Sequence, residues 1–481
     1  MAQPSLELAR VRPFTDGGTY GGAGVQELRF PYDGSLVGEV ETSSIADVDT
    51  AVKSSSRALA AWRDAPLWQR AEILGRIADG LAKKIDEFAR TIVLETGKTL
   101  SDAKSEITRG VATMRVSAEE AKRIEGHTVP LDALQPGTGK FGLALRVPVG
   151  VVAGISPFNA PLGLTIHKLG PALAAGNTLV LKPHHHGSAV TMMLAQLCTE
   201  CGLPDGVFNV VMGGPDVGKA LVTHDDVALV NFTGSTAIGK EVARLAAPKK
   251  TLLELGGTGP TIVHADASVD FAITQCAEGA FGLSGQSCVS VQRVYVHRSL
   301  YPAAIERAKG VAAAKKTGNP LDASTTLAPV ISEQSAKRIE AWIKEAVEMG
   351  ATKQCGGERD GAMLTACVLS DATPEMKVIH DEVFGPVMSL VPYDTIDEAF
   401  AAANAGPYGL KIGVFTNDLR IVMRAMRELE FGMVNINGPS RSRTDHEPSG
   451  GTKRSGWGKE GPRYAIEEMS YLRMISIAKM S

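Results

Sequence analysis

The sequence predicts an α/β fold built on a doubly wound, mostly parallel sheet, and two observations carry that expectation. From Val149 to Pro260, short β-branched runs (GVVAGI, NTLVLK, VFNVVM, ALVNFT and PTIVHA) alternate with amphipathic segments that begin near Pro161, Ser188, Gly218 and Ser235. Strands alternating with helices of about 10–15 residues build parallel βαβ units, and such a sheet suits a nucleotide. Glycine is also in excess. It accounts for 51 of 481 residues, about 11% against an average near 7%, without a repeat period, as many tight strand-to-helix turns require.

Ahead of this region, residues 46–125 read as helices. Ala51, Ala58, Ala60 and Trp62 begin one. Ile73, Leu74, Ile77, Leu81 and Ile85 follow at helical spacing, and a third runs from about Ser101 to Glu125 and stops at Gly126. Behind it, a second α/β region carries apolar runs at QRVYVH, VMSLV, KIGVFT and MVNIN, with helices over Phe271–Phe281, Ala303–Ala314, Ser335–Glu348 and Ile396–Ala403. The segment Arg463–Ile477 ends in a mildly alternating strand, MSYLRMISI, with little apolar surface to meet locally, which suggests docking or oligomerisation. The length corresponds to about three lobes at ~150 residues each.

Composition excludes several classes. Lys plus Arg is 50 and Asp plus Glu is 53, a formal charge of −3, so neither nucleic acid nor an anionic membrane is expected as a partner. Six cysteines are too few for a disulfide scaffold of this length. The N-terminus, MAQPSLELARVRPF, has no apolar core of a secretory signal. The apolar stretch Leu143–Ile155 is broken by Arg146 and Pro148 and is too short to span a bilayer. The expectation is a soluble, cytoplasmic protein.

Four segments carry groups with chemistry. Gly234-Ser-Thr-Ala-Ile-Gly239-Lys240 follows the strand ALVNFT and opens a helix, where backbone N–H groups and the positive helix end can meet a phosphate. It nearly matches a P-loop, but Glu241 stands where Mg²⁺ would need Ser or Thr. Gly285-Gln-Ser287-Cys288 lies between a helix and a strand. Its cysteine is either a small core residue or, given its polar neighbours, a nucleophile in a ligand-facing turn. Ser156-Pro157-Phe158-Asn159 ends a strand, so the Asn159 amide can face a cleft at the sheet's carboxyl edge. Leu253-Glu254-Leu255 sets one carboxylate in an apolar run, where it is either salt-bridged or a base with a raised pKa.

SPFNAPL (156–162), LVLKP (179–183), NFTGSTAIG (231–239), LLELGG (252–257), GQSC (285–288), DEVFGPV (381–387) and PSGGTKRSGWGKEG (448–461) stand in the order and spacing of the NAD(P)-dependent aldehyde dehydrogenase superfamily, which the chain resembles over nearly its whole length. RTDHEPSGG (443–451) and the PFNAPL form make it most similar to the lactaldehyde, glyceraldehyde and phosphonoacetaldehyde dehydrogenase branch. The resemblance implies two doubly wound α/β domains plus a small β extension. The cofactor domain would comprise residues 1–126 and 146–256, the catalytic domain 257–440, and the oligomerisation extension 127–145 with 463–481. It further implies a homodimer or homotetramer.

By the same resemblance, Cys288 would attack an aldehyde to give a thiohemiacetal. Asn159 and the Cys288 N–H would hold the oxyanion, and Glu254 would activate water against the thioester. NAD or NADP would lie along Ile155, Ser156, Pro157 and Phe158. Lys182 would bind the adenosine ribose, with His185 and Gly214 nearby. Gly234, Ser235 and Gly239 would form the pyrophosphate turn, and Leu255 and Glu382 would border the nicotinamide ribose. Lys168 matches a proton-relay lysine, or is a surface helix lysine.

Departures from the family pattern narrow the reading. His185, within His184-His185-His186, stands where NAD-preferring members carry Glu, so NADP should be tolerated. Three consecutive histidines do not converge easily on one metal, and no metal is expected there or at Cys198-x-x-Cys201. Ser449 replaces the Phe of the usual PFGG. Pocket positions hold Arg109, Ala160, Gly163, His167, Gly282 and Arg443, beside Ser287. This set predicts a roomier, more cationic pocket for a short polar, hydroxylated or anionic aldehyde, unless the arginines bridge internal acids such as Glu106 or Asp445. The alternatives are a CoA-acylating semialdehyde dehydrogenase, which needs no Glu254, a non-catalytic binding protein on the same fold, and an NTPase.

Overall fold

The computed structural model describes Leu8 and residues 10–478. Most of the N-terminal stretch read for a signal, and the last three residues of the 463–481 extension, lie outside the described residues.

The parallel core of the first sheet is ordered Phe208–Val210, Thr178–Lys182, Val151–Ile155, Val227–Thr233, Lys250–Glu254. These strands are nearly unbroken apolar runs because helices cover both faces. Phe14–Thr15 pairs antiparallel on one edge and Gly456–Trp457 on the other. The expected helical region has four helices rather than three, at Ile45–Asp64, Leu67–Lys83, Ile85–Thr96 and Leu100–Ala121. Pro66 separates the first two. Gly97, left-handed at φ 71°, stops the third, and the Thr99 side chain caps the fourth. That fourth helix ends at Ala121, short of the expected Glu125.

The second sheet runs Thr352–Cys355, Cys367–Ser370, Val387–Tyr393, Arg293–His297, Pro260–Val263, Lys411–Phe415, Met433–Ile436, antiparallel only at the first pair. One strand changes sheets relative to the sequence reading. The PTIVHA run (Pro260–Val263) belongs to this second sheet, and Lys250–Glu254 takes its place in the first. The crossover between them passes through Gly259 at φ 41°, where a Cβ would stand 1.8 Å from the Ser290 carbonyl.

Beyond Ile436 the chain crosses back, so that Gly456–Trp457 pairs with Leu253–Glu254 of the first sheet. A third, antiparallel sheet joins Ser470–Ala478, Lys140–Pro148 and His127–Val129. It leaves Phe141, Tyr471, Leu472, Met474 and Ile477 exposed. Among the described residues, no helix is long and apolar enough to cross a membrane.

Candidate active site

The carboxyl ends of the first sheet's strands and the amino ends of the second sheet's strands meet at one cleft, and a buried ion pair sets its first wall. Lys98 and Glu106 pair out of solvent. Lys98 also donates to the Asn159 carbonyl at 2.7 Å, and Glu106 accepts the N–H groups of Leu162 and Gly163, both at 2.9 Å. A carboxylate at the first turn of helix Pro161–Ala175 satisfies donors that have no partner within the helix and meets the positive helix end. The SPFN turn is thereby fixed from both sides. The Asn159 Nδ2 donates to the Gln286 carbonyl at 3.0 Å, two residues from Cys288.

The Cys288 segment is held by an unusual backbone. Leu283 and Ser284 are left-handed at φ 55° and 53°, a conformation that costs about 1–3 kcal/mol per non-glycine residue and persists only where surroundings enforce it. They are enforced here. The Ser284 hydroxyl donates to the Ala328 carbonyl at 2.7 Å, and the Gln286 Oε1 accepts from the Ile331 N–H at 2.8 Å. Gly285, at φ 70°, has no room for a Cβ against the Gly385 carbonyl. Burial, with the carboxylates of Glu382 and Glu254 nearby, pushes the Cys288 thiol up to about 12.

Glu254 ends its strand almost fully buried and makes no salt bridge among the described residues. Burial and the neighbouring Glu460 raise its pKa well above the ordinary value, against the pull of Arg443 and Lys168. Lys168 is not a surface residue. It is wholly buried, its Nζ donates to the Thr233 hydroxyl at 2.5 Å, and burial lowers its pKa.

On the other side of the first sheet's carboxyl edge lie the residues assigned to the cofactor. Lys182 is desolvated to a pKa of about 8, and among the described residues its Nζ meets only the Pro183 carbonyl, at 3.4 Å. Ser156 is locked to Thr165 by a 2.9 Å hydroxyl contact, and Phe158 packs between the His184 and Phe384 rings. Ser235 caps helix Thr236–Ala246, Gly234 donates to the Glu254 carbonyl, and a Cβ on Gly239 would strike Leu255 at 2.3 Å. Gly214 caps helix Pro215–Thr223, with open space where a Cβ would stand. The Gly257 N–H donates to Glu382 at 3.1 Å, and burial raises that carboxyl to about 7.

The three histidines diverge. The His185 Nε2 meets the Glu27 carbonyl at 2.8 Å, and the His186 Nδ1 meets the Glu95 carbonyl at 2.6 Å. Glu241, which spoils the P-loop pattern, pairs with Arg244 on the surface.

Asn159, Ser287, Cys288, Arg109, His167 and Arg443 line one cavity of about 140 Å³ together with Ala160 and Gly163. That volume is small against the ~300–1,000 Å³ of common ligand pockets. The expectation of a roomier, more cationic pocket requires correction. Arg109 is bidentate to Asp445 at 2.7 and 3.2 Å, and Arg443 pairs with Glu460 at 3.0 Å. His167 is buried against Asp445 and Arg443, and burial lowers its pKa. Glu106 pairs with Lys98 rather than with either arginine.

Sequence reasoning missed three groups at this site. Glu460 supplies the buried counter-charge, and Lys98 with Glu106 positions Asn159. Arg441, two residues before the arginine selected, lines the cavity with no carboxylate within ion-pair distance among the described residues. The Arg-x-Arg-x-Asp clustering of 441–445 was the available signal.

Comparison with known proteins places this geometry. Residues 22–475 match the model of the aldehyde dehydrogenase family. A 3-sulfolactaldehyde dehydrogenase of Priestia megaterium is 42% identical over 93% of this chain and 94% of its own. Aspartate-semialdehyde dehydrogenase 1 of Pseudomonas canavaninivorans is 40% identical over 94% and 96%. The crystal structure of an NADP-dependent glyceraldehyde-3-phosphate dehydrogenase from Bacillus halodurans, complexed with NADP, superposes with a TM-score of 0.95 at 32% identity, covering 98% of this chain and 99% of that one.

The Arg443–Glu460 pair yields a stability prediction. Glu460→Leu leaves a guanidinium buried beside Asp445 alone, and removing one member of a buried pair costs about 3–5 kcal/mol. Adding Arg443→Leu should recover much of that loss in urea unfolding. Additive losses in the double variant would mean that the two charges are not coupled.

Proposed function

The chain belongs to the aldehyde dehydrogenase family and is an NAD(P)-dependent oxidoreductase, and from that premise we propose that Cys288, Asn159 and Glu254 oxidise a short aldehyde with a polar or anionic substituent to its carboxylic acid. The observation that carries this reading is the convergence of Asn159 and Cys288 on one small cavity walled by arginines and His167. The relatives named for sulfolactaldehyde, aspartate semialdehyde and glyceraldehyde 3-phosphate all act, by name, on aldehydes with an ionised group.

In this mechanism the thiol is a proton-holding resting state, since its pKa is pushed far above neutrality. Attack on the carbonyl carbon is therefore coupled to transfer of the thiol proton to Glu254, which releases it to water before the second half-reaction. The aldehyde oxygen takes the displaced electron pair, and the Asn159 Nδ2 with the Cys288 N–H stabilises it. The other amide hydrogen of Asn159 keeps its bond to Gln286, which holds the donor in place.

The nicotinamide, when bound, supplies the hydride acceptor. A thioester then remains on Cys288. Glu254, with its proton affinity raised by burial, takes a proton from the attacking water as the C–S bond breaks. The Lys182 amine, desolvated and barely partnered, fits the ribose hydroxyls. The Gly234–Ser235 turn fits the pyrophosphate, and Glu382 on the Gly256–Gly257 backbone fits the nicotinamide ribose.

Two variants test the chemistry. Cys288→Ser should abolish reduced-nicotinamide formation while leaving cofactor binding intact, and retained turnover would remove Cys288 from the mechanism. Glu254→Gln should suppress both the first release of reduced cofactor and steady turnover, and an undiminished burst would confine Glu254 to the thioester step. Because the carboxylate form exists only above the raised pKa, wild-type kcat should fall on acidification well before pH ~4.3, the ordinary glutamate value.

Cofactor choice follows from position 185. No carboxylate stands three residues beyond Lys182, so nothing there repels a 2′-phosphate. His185→Glu should shift the NADP/NAD ratio of kcat/KM toward NAD by about tenfold or more, and an unchanged ratio would refute the assignment.

The division into a cofactor unit (1–126 and 146–256), a catalytic unit (257–440) and an oligomerisation extension (127–145 with 463–481) belongs to the same reading. The exposed apolar side chains of the third sheet suit a second copy of this chain. Sedimentation should give a dimer or tetramer that Leu472→Glu with Ile477→Glu dissociates. A monomeric wild type would discard the extension's role.

A further inference from the structure

We propose that Arg441 is the specificity-determining residue that clamps the anionic group of the substrate, and that Gly282 is the seat that makes room for its guanidinium. The inference rests on the reading of the cavity as the aldehyde site. It departs from the sequence expectation, which gave that role to Arg109 and Arg443.

The argument is one of charge already spent. Five basic side chains line the cavity. Lys98 is consumed by Glu106 and the Asn159 carbonyl. Arg109 is paired in bidentate fashion with Asp445 through Nε and Nη2. Arg443 is buried between Glu460 and Asp445. His167 is buried, with its Nε2 3.4 Å from Asp445 and 3.3 Å from Arg443.

Arg441 differs from all four. Among the described residues, its one hydrogen bond is from Nη1 to the Glu278 backbone carbonyl, at 3.3 Å. Two acids reach it with their charge but neither within ion-pair distance, and of the two only Glu278 is itself paired with a cation among the described residues. The Glu278 carboxylate holds Lys315 at 2.6 Å, and Asp102 accepts from the Thr99 hydroxyl at 2.9 Å. A guanidinium has five N–H donors in a planar fork, so most of this one is left for a ligand. That fork matches a carboxylate, sulfonate or phosphonate through two parallel hydrogen bonds.

The seat is equally specific. A Cβ on Gly282 would stand 1.7 Å from the Arg441 Nη1 and 2.7 Å from its Cζ, so the guanidinium lies directly against the glycine. Gly282 itself has ordinary backbone angles, φ −60° and ψ 143°. An alanine there is free of backbone strain and acts only by evicting the arginine. The glycine also caps the helix Val269–Phe281, whose chain leads into the Cys288 turn, so the clamp and the nucleophile share one rigid support.

The test compares anionic and neutral aldehydes of similar size. With sulfoacetaldehyde and succinic semialdehyde, Arg441→Leu should lower kcat/KM by roughly 30-fold or more, chiefly through KM, in line with the strength of charge-assisted hydrogen bonds. With propanal and glycolaldehyde the change should stay within about threefold. Gly282→Ala should reproduce the same selective loss with the arginine still present, and Arg441→Lys should fall between. Isothermal titration with sulfoacetate gives a readout independent of turnover, in which wild type binds and Arg441→Leu does not.

Equal losses on charged and neutral aldehydes, or undiminished sulfoacetate binding by Arg441→Leu, would overturn the clamp while leaving the aldehyde chemistry standing. A wild type that oxidises none of the four aldehydes and does not bind sulfoacetate would overturn both.

Discussion

The site depends on one buried charge. Arg443 sits on the segment that leaves the second sheet at Ile436 and returns to the first at Gly456. A guanidinium cannot remain out of water without a counter-charge, so its contacts with Asp445 and Glu460 tie the middle of that crossing segment to the chain just beyond its return. The same contacts press it against His167 on the helix that begins with the Asn159 turn. Because Gly456 pairs with Glu254 in the first sheet, the placement of the proposed water-activating carboxylate follows from the same closure. Burial raises the pKa of Glu254 and, by itself, would also raise that of Glu460. His167, Arg443 and Lys168 together hold Glu460 low. Two neighbouring carboxyls are thus driven apart, one kept ionised as a structural counter-ion and the other available to take a proton.

A second balance operates around the proposed nucleophile, Cys288. Desolvation and nearby carboxylates push the thiol pKa up, which disfavours the thiolate, the reactive form. Reactivity must then come from the assembled complex rather than from a preformed ion. The left-handed turn at Leu283–Ser284, held by backbone-directed hydrogen bonds from Ser284 and Gln286, costs stability to present this sulfur at the cavity wall. Lys98 and Glu106 do the matching work for Asn159, so donor and nucleophile are positioned by separate rigid elements that meet only across the cleft.

Elements with strong local signals were legible in the chain. The runs GVVAGI, NTLVLK, ALVNFT and KIGVFT form strands, and the segments around 303–314 and 335–348 form helices close to the expected ranges. PTIVHA was a strand in the expected place but in the other sheet, because sheet membership is decided by the crossover at Gly259 and not by the run itself. Lys168 could not be told from a surface lysine, since its helix is apolar all round and only tertiary packing closes over it.

Local chemistry and its order along the chain were determined by sequence alone. A cysteine in a glycine-flanked polar turn, an amide at a strand end, a lone carboxylate in an apolar run and a glycine turn opening a helix were all readable there, because each depends on neighbours a few residues away. Charge pairing was decided only by the tertiary structure. Arg109 meets Asp445 across 336 residues and Arg443 meets Glu460 across a returning loop, whereas Arg441, sharing their segment, lies over Gly282 with no carboxylate within ion-pair distance among the described residues. The physical reason is that a residue's charge is visible in its name, whereas the counter-charge that neutralises it, or its absence, depends on which distant segments the fold packs around it.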